Sequence, residues 1–277
     1  MASCGATPIR AIRTGRPWDT ERVGIEGTAS GRCYPIGFTC QRLRPMRKPR
    51  PTVLTREFLQ SGDYLRSFVD TPRQKWWSRE QISESLEKTL AERPDPDAPV
   101  WVFAYGSLIW NPLIRVAEQQ LATLRGWRRS FCMRLLAGRG TPEHPGRMLA
   151  LARAPSTAHP TTGIAFRIRE EELRDELMLV WMREMIGGTY EPLWQEARLA
   201  DGRLVQTIVF VMEPCTPAYE HDTSVNTVAP LIATASGHLG HNIDYLLELD
   251  QALAAHHIHD TYIQELIAAV RAYGADI

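Results

Sequence analysis

The chain has 277 residues, 44% apolar and 23% charged, which suffices for one large domain or two small ones and excludes collagen-like, mucin-like and wholly disordered polymers. Its zero net charge is a cancellation: residues 1–50 carry +7, residues 51–100 carry −2 and residues 101–277 carry −5. The only lysines are Lys48, Lys75 and Lys88, so Schiff-base chemistry, a pyridoxal-phosphate anchor and a Walker-type lysine are excluded from residue 101 onward, and an acidic body disfavours a nucleic-acid groove.

In chain order, residues 1–52 are rich in Arg, Gly and Pro and end in Arg44-Pro-Met-Arg-Lys-Pro-Arg-Pro51, without helical or strand period. They predict a disordered basic extension. The first 18 residues have the composition of a transit peptide or of a plain upstream extension, and Met46 could be an internal start. Residues 53–98 predict accessory helices and a linker. Phe58, Leu59, Tyr64, Leu65 and Phe68 are spaced roughly helically, Ser78-Arg-Glu-Gln81 is a capping box before Ile82, Leu86 and Leu90, and Arg93 to Pro99 holds three prolines.

Residues 99–277 predict one catalytic-size domain. It opens with the apolar strand Val100–Ala104, stopped at Tyr105-Gly106-Ser107. Further strands are expected over 126–133, 147–153, 162–168, 190–199 and 204–213, with a helix over Arg169–Ile186 closed by Gly187-Gly188. Tail helices are expected near 226–235, 241–256 and 260–273. Successive strands with little helix between them predict an α+β fold with a mixed, curved, barrel-like sheet and flanking helices. Five cysteines (Cys4, Cys33, Cys40, Cys132 and Cys215) form no CxxC pair, and their odd number points to a reducing compartment, the cytoplasm. No run approaches the ~20 apolar residues of a membrane span.

The helix over 169–186 carries the most informative residue. Leu173, Leu177, Val180 and Trp181 form a core-facing stripe, and its next position is Glu184. Burial and the negative end of the helix dipole would both raise that carboxyl's pKa, as a general acid/base near neutral pH requires. The alternative is a stripe-end glutamate reaching solvent or paired with Arg183 or Arg139. The Tyr105-Gly106-Ser107-Leu108 turn is either an ordinary tight turn or a set of amides converging on an anion or carbonyl oxygen. Ser107 lacks a nucleophile-elbow frame. His238-x-x-His241 and His256-His257-x-His259 read as surface or capping residues rather than metal ligands, and Cys132 as core.

Taken together, Val100-Trp-Val-Phe-Ala-Tyr-Gly-Ser-Leu-Ile-Trp110, Gly126-Trp-Arg-Arg-Ser-Phe131, Arg139-Gly-Thr-Pro-Glu-His-Pro-Gly146, Gly163-Ile-Ala-Phe-Arg167, Trp181-Met-Arg-Glu-Met-Ile-Gly-Gly-Thr-Tyr190 and Gly237-His-Leu-Gly-His-Asn242 resemble the ChaC-type γ-glutamylcyclotransferases. The resemblance spans about 175 residues and tells nothing of residues 1–98. It implies a γ-glutamylcyclotransferase-like fold and cyclisation of glutathione's γ-glutamyl group to 5-oxoproline with release of Cys-Gly. It implies Glu184 as the catalytic carboxylate and binding of the γ-glutamyl group by Val102, Phe103, Ala104, Tyr105, Gly106, Ser107 and Leu108. Tyr219 matches a family tyrosine near the pocket, although Glu220-His221 departs from the usual glycine context, and Ala104 replaces a frequent glycine. The implied partner is the small-molecule substrate, with no metal, cofactor, nucleic acid or membrane, and protein partners stay open. Two other readings remain: a cyclotransferase for other γ-glutamyl amides or dipeptides, and a non-catalytic binding or regulatory member.

Overall fold

Residues 54–69, 75–156 and 160–273 are described by a computed structural model, and all lie in the compact unit Arg50–Ile277. The extension expected over 1–52 falls outside the described residues. Thr55 caps the first helix, α1 (Arg56–Gln60), its side chain accepting from Phe58 N–H, and α2 (Asp63–Val69) follows after Gly62. The Ser78–Gln81 capping box forms as its spacing predicts and starts α3 (Arg79–Ala91). Ile82 and Leu86 are buried on its inner face. Trp181 Nε1 donates to Ser85 Oγ at 3.2 Å and Trp194 Nε1 to the Thr89 carbonyl at 2.7 Å, so α3 is fastened to the body along its length.

Seven strands form the main sheet: β1 (Trp101–Ala104), β2 (Glu118–Leu124), β3 (Trp127–Leu135), β4 (Gly146–Arg153), β5 (Thr161–Arg167), β6 (Glu191–Leu199) and β7 (Leu204–Val211). Five of them, in the order β1-β5-β2-β6-β7, close on themselves because β7 also pairs in parallel with β1, Trp101 opposite Thr207 and Val102 opposite Ile208. The other pairings within this barrel are antiparallel. The β3–β4 hairpin joins it through a parallel bridge between Leu151 and Val211. The mixed, curved barrel with flanking helices is therefore the architecture the sequence predicts. β1 is buried at all four positions, which explains its unbroken apolar run.

Two elements differ from expectation. β2 was not anticipated, because only Ala122 and Leu124 of Glu-Gln-Gln-Leu-Ala-Thr-Leu face inward while Leu121 is exposed. The helix expected over Arg169–Ile186 is shorter: a 3-10 turn at Glu170–Glu172 precedes α4 (Leu173–Glu184), which lacks a side-chain cap. Its glycine stop is real. Gly188 has φ +59°, and a Cβ there would lie 2.1 Å from Trp77 Nε1, so only glycine accommodates both the left-handed turn and the packed indole. Leu173, Leu177, Val180 and Trp181 are buried as the stripe predicts, but Leu179, Met182 and Met185 are buried too, so α4 is surrounded rather than half-exposed.

The tail forms α5 (Val225–Thr234), α6 (Asn242–Ala255) and α7 (Thr261–Ala272), with the short pair β8 (Ser236–Gly237) and β9 (Gly240–His241) before α6. Asn242 anchors α6 to the hairpin. Its Oδ1 accepts from Arg147 N–H at 2.7 Å and its Nδ2 donates to the Arg147 carbonyl at 2.9 Å.

Candidate active site

Sheet topology creates the site. On the side of β7 that meets β1 at Thr207–Ile208 and β4 at Val211, the two neighbours part around Phe210. The Tyr105 hydroxyl enters this gap and donates to the Phe210 carbonyl at 2.7 Å. A cavity of about 580 Å³ opens beside it, lined by the 105–108 turn, the C-terminal end of α4, Tyr190 and Tyr245. That volume lies within the range of small-molecule sites.

Glu184 is the last residue of α4 and lines the cavity, its side chain 14% exposed. Burial raises its pKa, and the adjacent Arg183 guanidinium, with Nε 3.2 Å from Glu184 Oε1, opposes that shift without cancelling it. Arg183 is itself tied to the turn: it donates to the Asn111 carbonyl, while Asn111 N–H donates to the Ser107 carbonyl at 3.0 Å. The alternative of an ion-paired glutamate and that of a buried carboxyl facing a pocket are thus both realised. Arg139 lines the same cavity but lies near Asp244 and Glu248 instead.

The carbonyls of Tyr105, Gly106 and Ser107 in the turn all accept hydrogen bonds from the protein. Arg129, whose side chain is 1% exposed, donates from Nε to the Tyr105 carbonyl at 2.8 Å, from Nη2 to the Thr162 carbonyl at 2.6 Å, and pairs with Asp260 at 3.0 Å. The Gly106 carbonyl accepts from Ile109 N–H at 2.9 Å. Among the described residues, no backbone carbonyl accepts from the N–H of Gly106, Ser107 or Leu108. The Ser107 N–H is taken by the Tyr245 hydroxyl, so the Gly106 and Leu108 amides are the ones left to meet a ligand's anionic or carbonyl oxygens. A Cβ on Gly106 would lie 2.8 Å from the Tyr245 hydroxyl and 3.3 Å from Leu149 Cδ2, so glycine is dictated here by close approach.

Of the residues anticipated for binding, Tyr105, Gly106, Ser107, Leu108 and Glu184 meet at this cavity. Val102, Phe103 and Ala104 are fully buried in β1 and lie behind the turn. Gly163 on β5 admits them: a Cβ there would sit 2.3 Å from the Ala104 carbonyl. Tyr219 does not line the cavity. It forms a β-bridge with Met133, which does, and its ring packs against His221 at 5.1 Å. Sequence reasoning assigned no site role to Tyr190, Tyr245 or Arg129. Tyr190 donates to the Leu149 carbonyl at 2.7 Å, Tyr245 packs on Trp110 at 5.4 Å, and burial raises the pKa of both phenols. Tyr190 and Arg129 lie within the Trp181–Tyr190 and Gly126–Phe131 segments of the resemblance, which was the available signal, and Tyr245 lies just beyond Gly237–Asn242.

Among the described residues, no group of three His, Cys, Asp or Glu side chains could hold a metal. His241 caps α6 and accordingly serves structure. Cys132 is buried in a small cluster with Met133 and Met212, its thiol pushed up to about 11 chiefly by burial, and Cys132 and Cys215 are free. None of the helices among the described residues is long and apolar enough to cross a membrane.

The chain is a closed five-stranded barrel with a buried carboxylate and a glycine-bearing turn at one cavity, and its fold is that of solved γ-glutamylcyclotransferases. The yeast γ-glutamylcyclotransferase specific to glutathione, a crystal structure 24% identical, superimposes with a TM-score of 0.58 over 64% of this chain and 97% of its own, and supports the fold. The ChaC-like protein family matches residues 100–273, and the chain belongs to that family. The Escherichia coli K12 glutathione-specific γ-glutamylcyclotransferase is 48% identical over 219 residues, 79% of this chain and 93% of its own length. The Arabidopsis thaliana γ-glutamylcyclotransferase 2-1 is 31% identical over 179 residues, 62% of this chain and 82% of its own. The bacterial match is longer than the stretch from Val100 to the C-terminus, so it takes in residues of the α1–α3 segment or its surroundings.

Proposed function

We propose that the protein cleaves glutathione by intramolecular cyclisation, forming 5-oxoproline and releasing Cys-Gly, with Glu184 as general acid/base. The observation that carries this reading is the placement of the Glu184 carboxyl at the same cavity as the Gly106 and Leu108 amides, which no backbone carbonyl takes up among the described residues. The 48% identity to the bacterial glutathione-specific enzyme supports the choice of substrate.

At neutral pH the γ-glutamyl α-amine is mainly an ammonium, which has no lone pair to attack. Glu184 takes one proton from it, and its raised pKa brings the carboxyl closer to that task. The freed nitrogen attacks the γ-carbonyl carbon and closes a five-membered ring. The C–N bond to the cysteine nitrogen then breaks as the protonated Glu184 returns its proton to that leaving nitrogen. The second proton on the ring nitrogen also passes to the departing amine, which leaves as an ammonium, so atoms and charge balance without water or cofactor. Donors in the 105–108 turn stabilise the anionic oxygens of the α-carboxylate and the tetrahedral intermediate, and holding amine and carbonyl together supplies much of the acceleration. The Arg183 guanidinium pulls the Glu184 pKa downward, against the rise that burial causes.

Among the described residues Cys132 and Cys215 are free thiols, which favours a reducing compartment, the cytoplasm, as the site of action. Assaying purified protein with glutathione beside γ-Glu-Ala tests the reading. Turnover of glutathione is expected, whereas turnover of γ-Glu-Ala alone would assign the enzyme to other γ-glutamyl peptides.

A further inference from the structure

The cavity is not built by the ChaC-like region alone. That region begins at residue 100, yet Leu54, Phe58, Tyr64, Phe68 and Trp76 line the cavity from the other side. They are held firmly. Asn111 Nδ2 donates to the Leu54 carbonyl at 3.1 Å, Arg56 reaches α4 through Glu176, and Trp77 N–H donates to the Ile186 carbonyl at 2.8 Å.

The aromatic side chains form a continuous row. Phe58 meets Tyr64 edge-on at 6.1 Å, Tyr64 meets Phe68 at 5.2 Å, and Phe68 meets Trp76 at 4.7 Å and His238 at 5.2 Å. Tyr64 lines the same cavity as Arg183 and Glu184, whose charges act on its phenol, which burial pushes up to about 12. From Tyr64 the row leads through Phe68 to Trp76. Trp76 also keeps a buried indole N–H with no acceptor among the described residues. Such a donor is costly to leave unmet and is satisfied if a ligand supplies the acceptor.

We propose that the aromatic row from Phe58 to Trp76 is the specificity wall for the leaving half of the substrate: it packs against the cysteinyl side chain, and Trp76 donates its indole N–H to a carbonyl or carboxylate oxygen of Cys-Gly. The assignment rests on the proposed cleavage of glutathione. The γ-glutamyl half is taken by the 105–108 turn and Glu184, so the aromatic wall of the same cavity meets what departs. Selection of the leaving amine would thus come from a segment that lies before the family's barrel in the chain.

The test uses the full chain and the Trp76→Phe and Phe58→Ala variants, each checked by circular dichroism and thermal melting. The first retains a ring and the second alters a half-buried residue. Wild-type turnover of glutathione comes first, and its absence would reject the proposed function itself. Given turnover, Trp76→Phe should raise KM for glutathione about fivefold, the loss of one hydrogen bond, with kcat held within twofold. The inhibition constant of Cys-Gly should rise in parallel while that of 5-oxoproline stays fixed. A folded Trp76→Phe and a folded Phe58→Ala with wild-type KM and Cys-Gly inhibition would overturn the assignment. So would a fall in kcat alone, which would place the wall at the chemistry instead.

Discussion

Arg56 and Glu176, 120 residues apart, meet in a two-point ion pair with N···O distances of 2.7 and 2.6 Å, and the glutamate side chain is only 2% exposed. Arg115 N–H gives the same carboxylate a third bond at 2.8 Å, and Arg56 also donates to the Leu113 carbonyl at 3.1 Å. Glu176 sits two turns before Glu184 on α4, so this pair ties the N-terminal helices to the helix that presents the carboxylate.

Removing one partner of this pair leaves a buried charge unmet. Arg56→Met should cost about 2–3 kcal/mol, below the value for a fully buried pair because Arg115 N–H remains and Arg56 is 23% exposed. Urea unfolding measures it, and a loss under 0.5 kcal/mol would contradict the tether.

The same pair makes a pH prediction. Burial alone pushes Glu176 up, but the bonds from Arg56 and Arg115 N–H outweigh it, and the folded pKa ends below the ordinary glutamate value of 4.5. The unfolded state therefore binds the proton more readily. The stabilisation is fully present above 4.5 and is lost as pH falls through the folded value. Thermal melts from pH 6 to pH 3 should show a steeper acid loss in wild type than in Glu176→Gln.

Glu184 behaves oppositely. Its folded pKa is raised by burial against the pull of Arg183, so its contribution to stability is present below 4.5 and is lost as pH rises through the folded value. Glu184→Gln should lower kcat by at least about 10²–10⁴-fold. It should also melt no lower than wild type at pH 8, because a buried charge has been removed. Undiminished turnover, or a collapse of the fold, would reject the assigned role.

These residues show what the chain discloses before folding. The capping box at Ser78 and the stripe ending in Glu184 are local patterns, and both appear in the structure where spacing puts them. Glu176 lies within the same helix but breaks no pattern, because its burial depends on Arg56 far upstream. Arg129 and Arg128 are indistinguishable in sequence, yet Arg129 is buried behind the turn, and only the approach of β5 and α7 makes it so. β2 was hidden because its outward positions include Leu121 and its inward ones begin with polar residues. The aromatic row of α1 and α2 reads as a helical spacing, and the closed barrel turns it into a cavity wall.

Close packing at the turn yields a coupled pair. In Gly106→Ala the new methyl would fall 2.8 Å from the Tyr245 hydroxyl, which Ser107 also engages. The single substitution should raise KM for glutathione and lower kcat, while Tyr245→Phe removes the clashing oxygen. The double variant should therefore be more active than Gly106→Ala alone, with a coupling of about 0.5–3 kcal/mol in kcat/KM. Strict additivity would show that the loop is not seated against Tyr245.

Arg129→Lys keeps a charge but not the fork that reaches the Tyr105 carbonyl, the Thr162 carbonyl and Asp260 together. Kinetics should show a raised KM with a smaller change in kcat, since the turn amides lose their support while Glu184 stays in place. A wild-type KM would place the turn's support elsewhere.

In the proposed reaction the substrate's own amine, and not water, attacks the γ-carbonyl beside Glu184. Incubating the protein with glutathione in ¹⁸O-labelled water and reading the products by mass spectrometry tests it directly. Equimolar 5-oxoproline and Cys-Gly, both without label, are expected, and Glu184→Gln should form neither above background. Glutamate carrying ¹⁸O would mean hydrolysis and would contradict the account, as would intact glutathione after prolonged incubation with the wild-type protein.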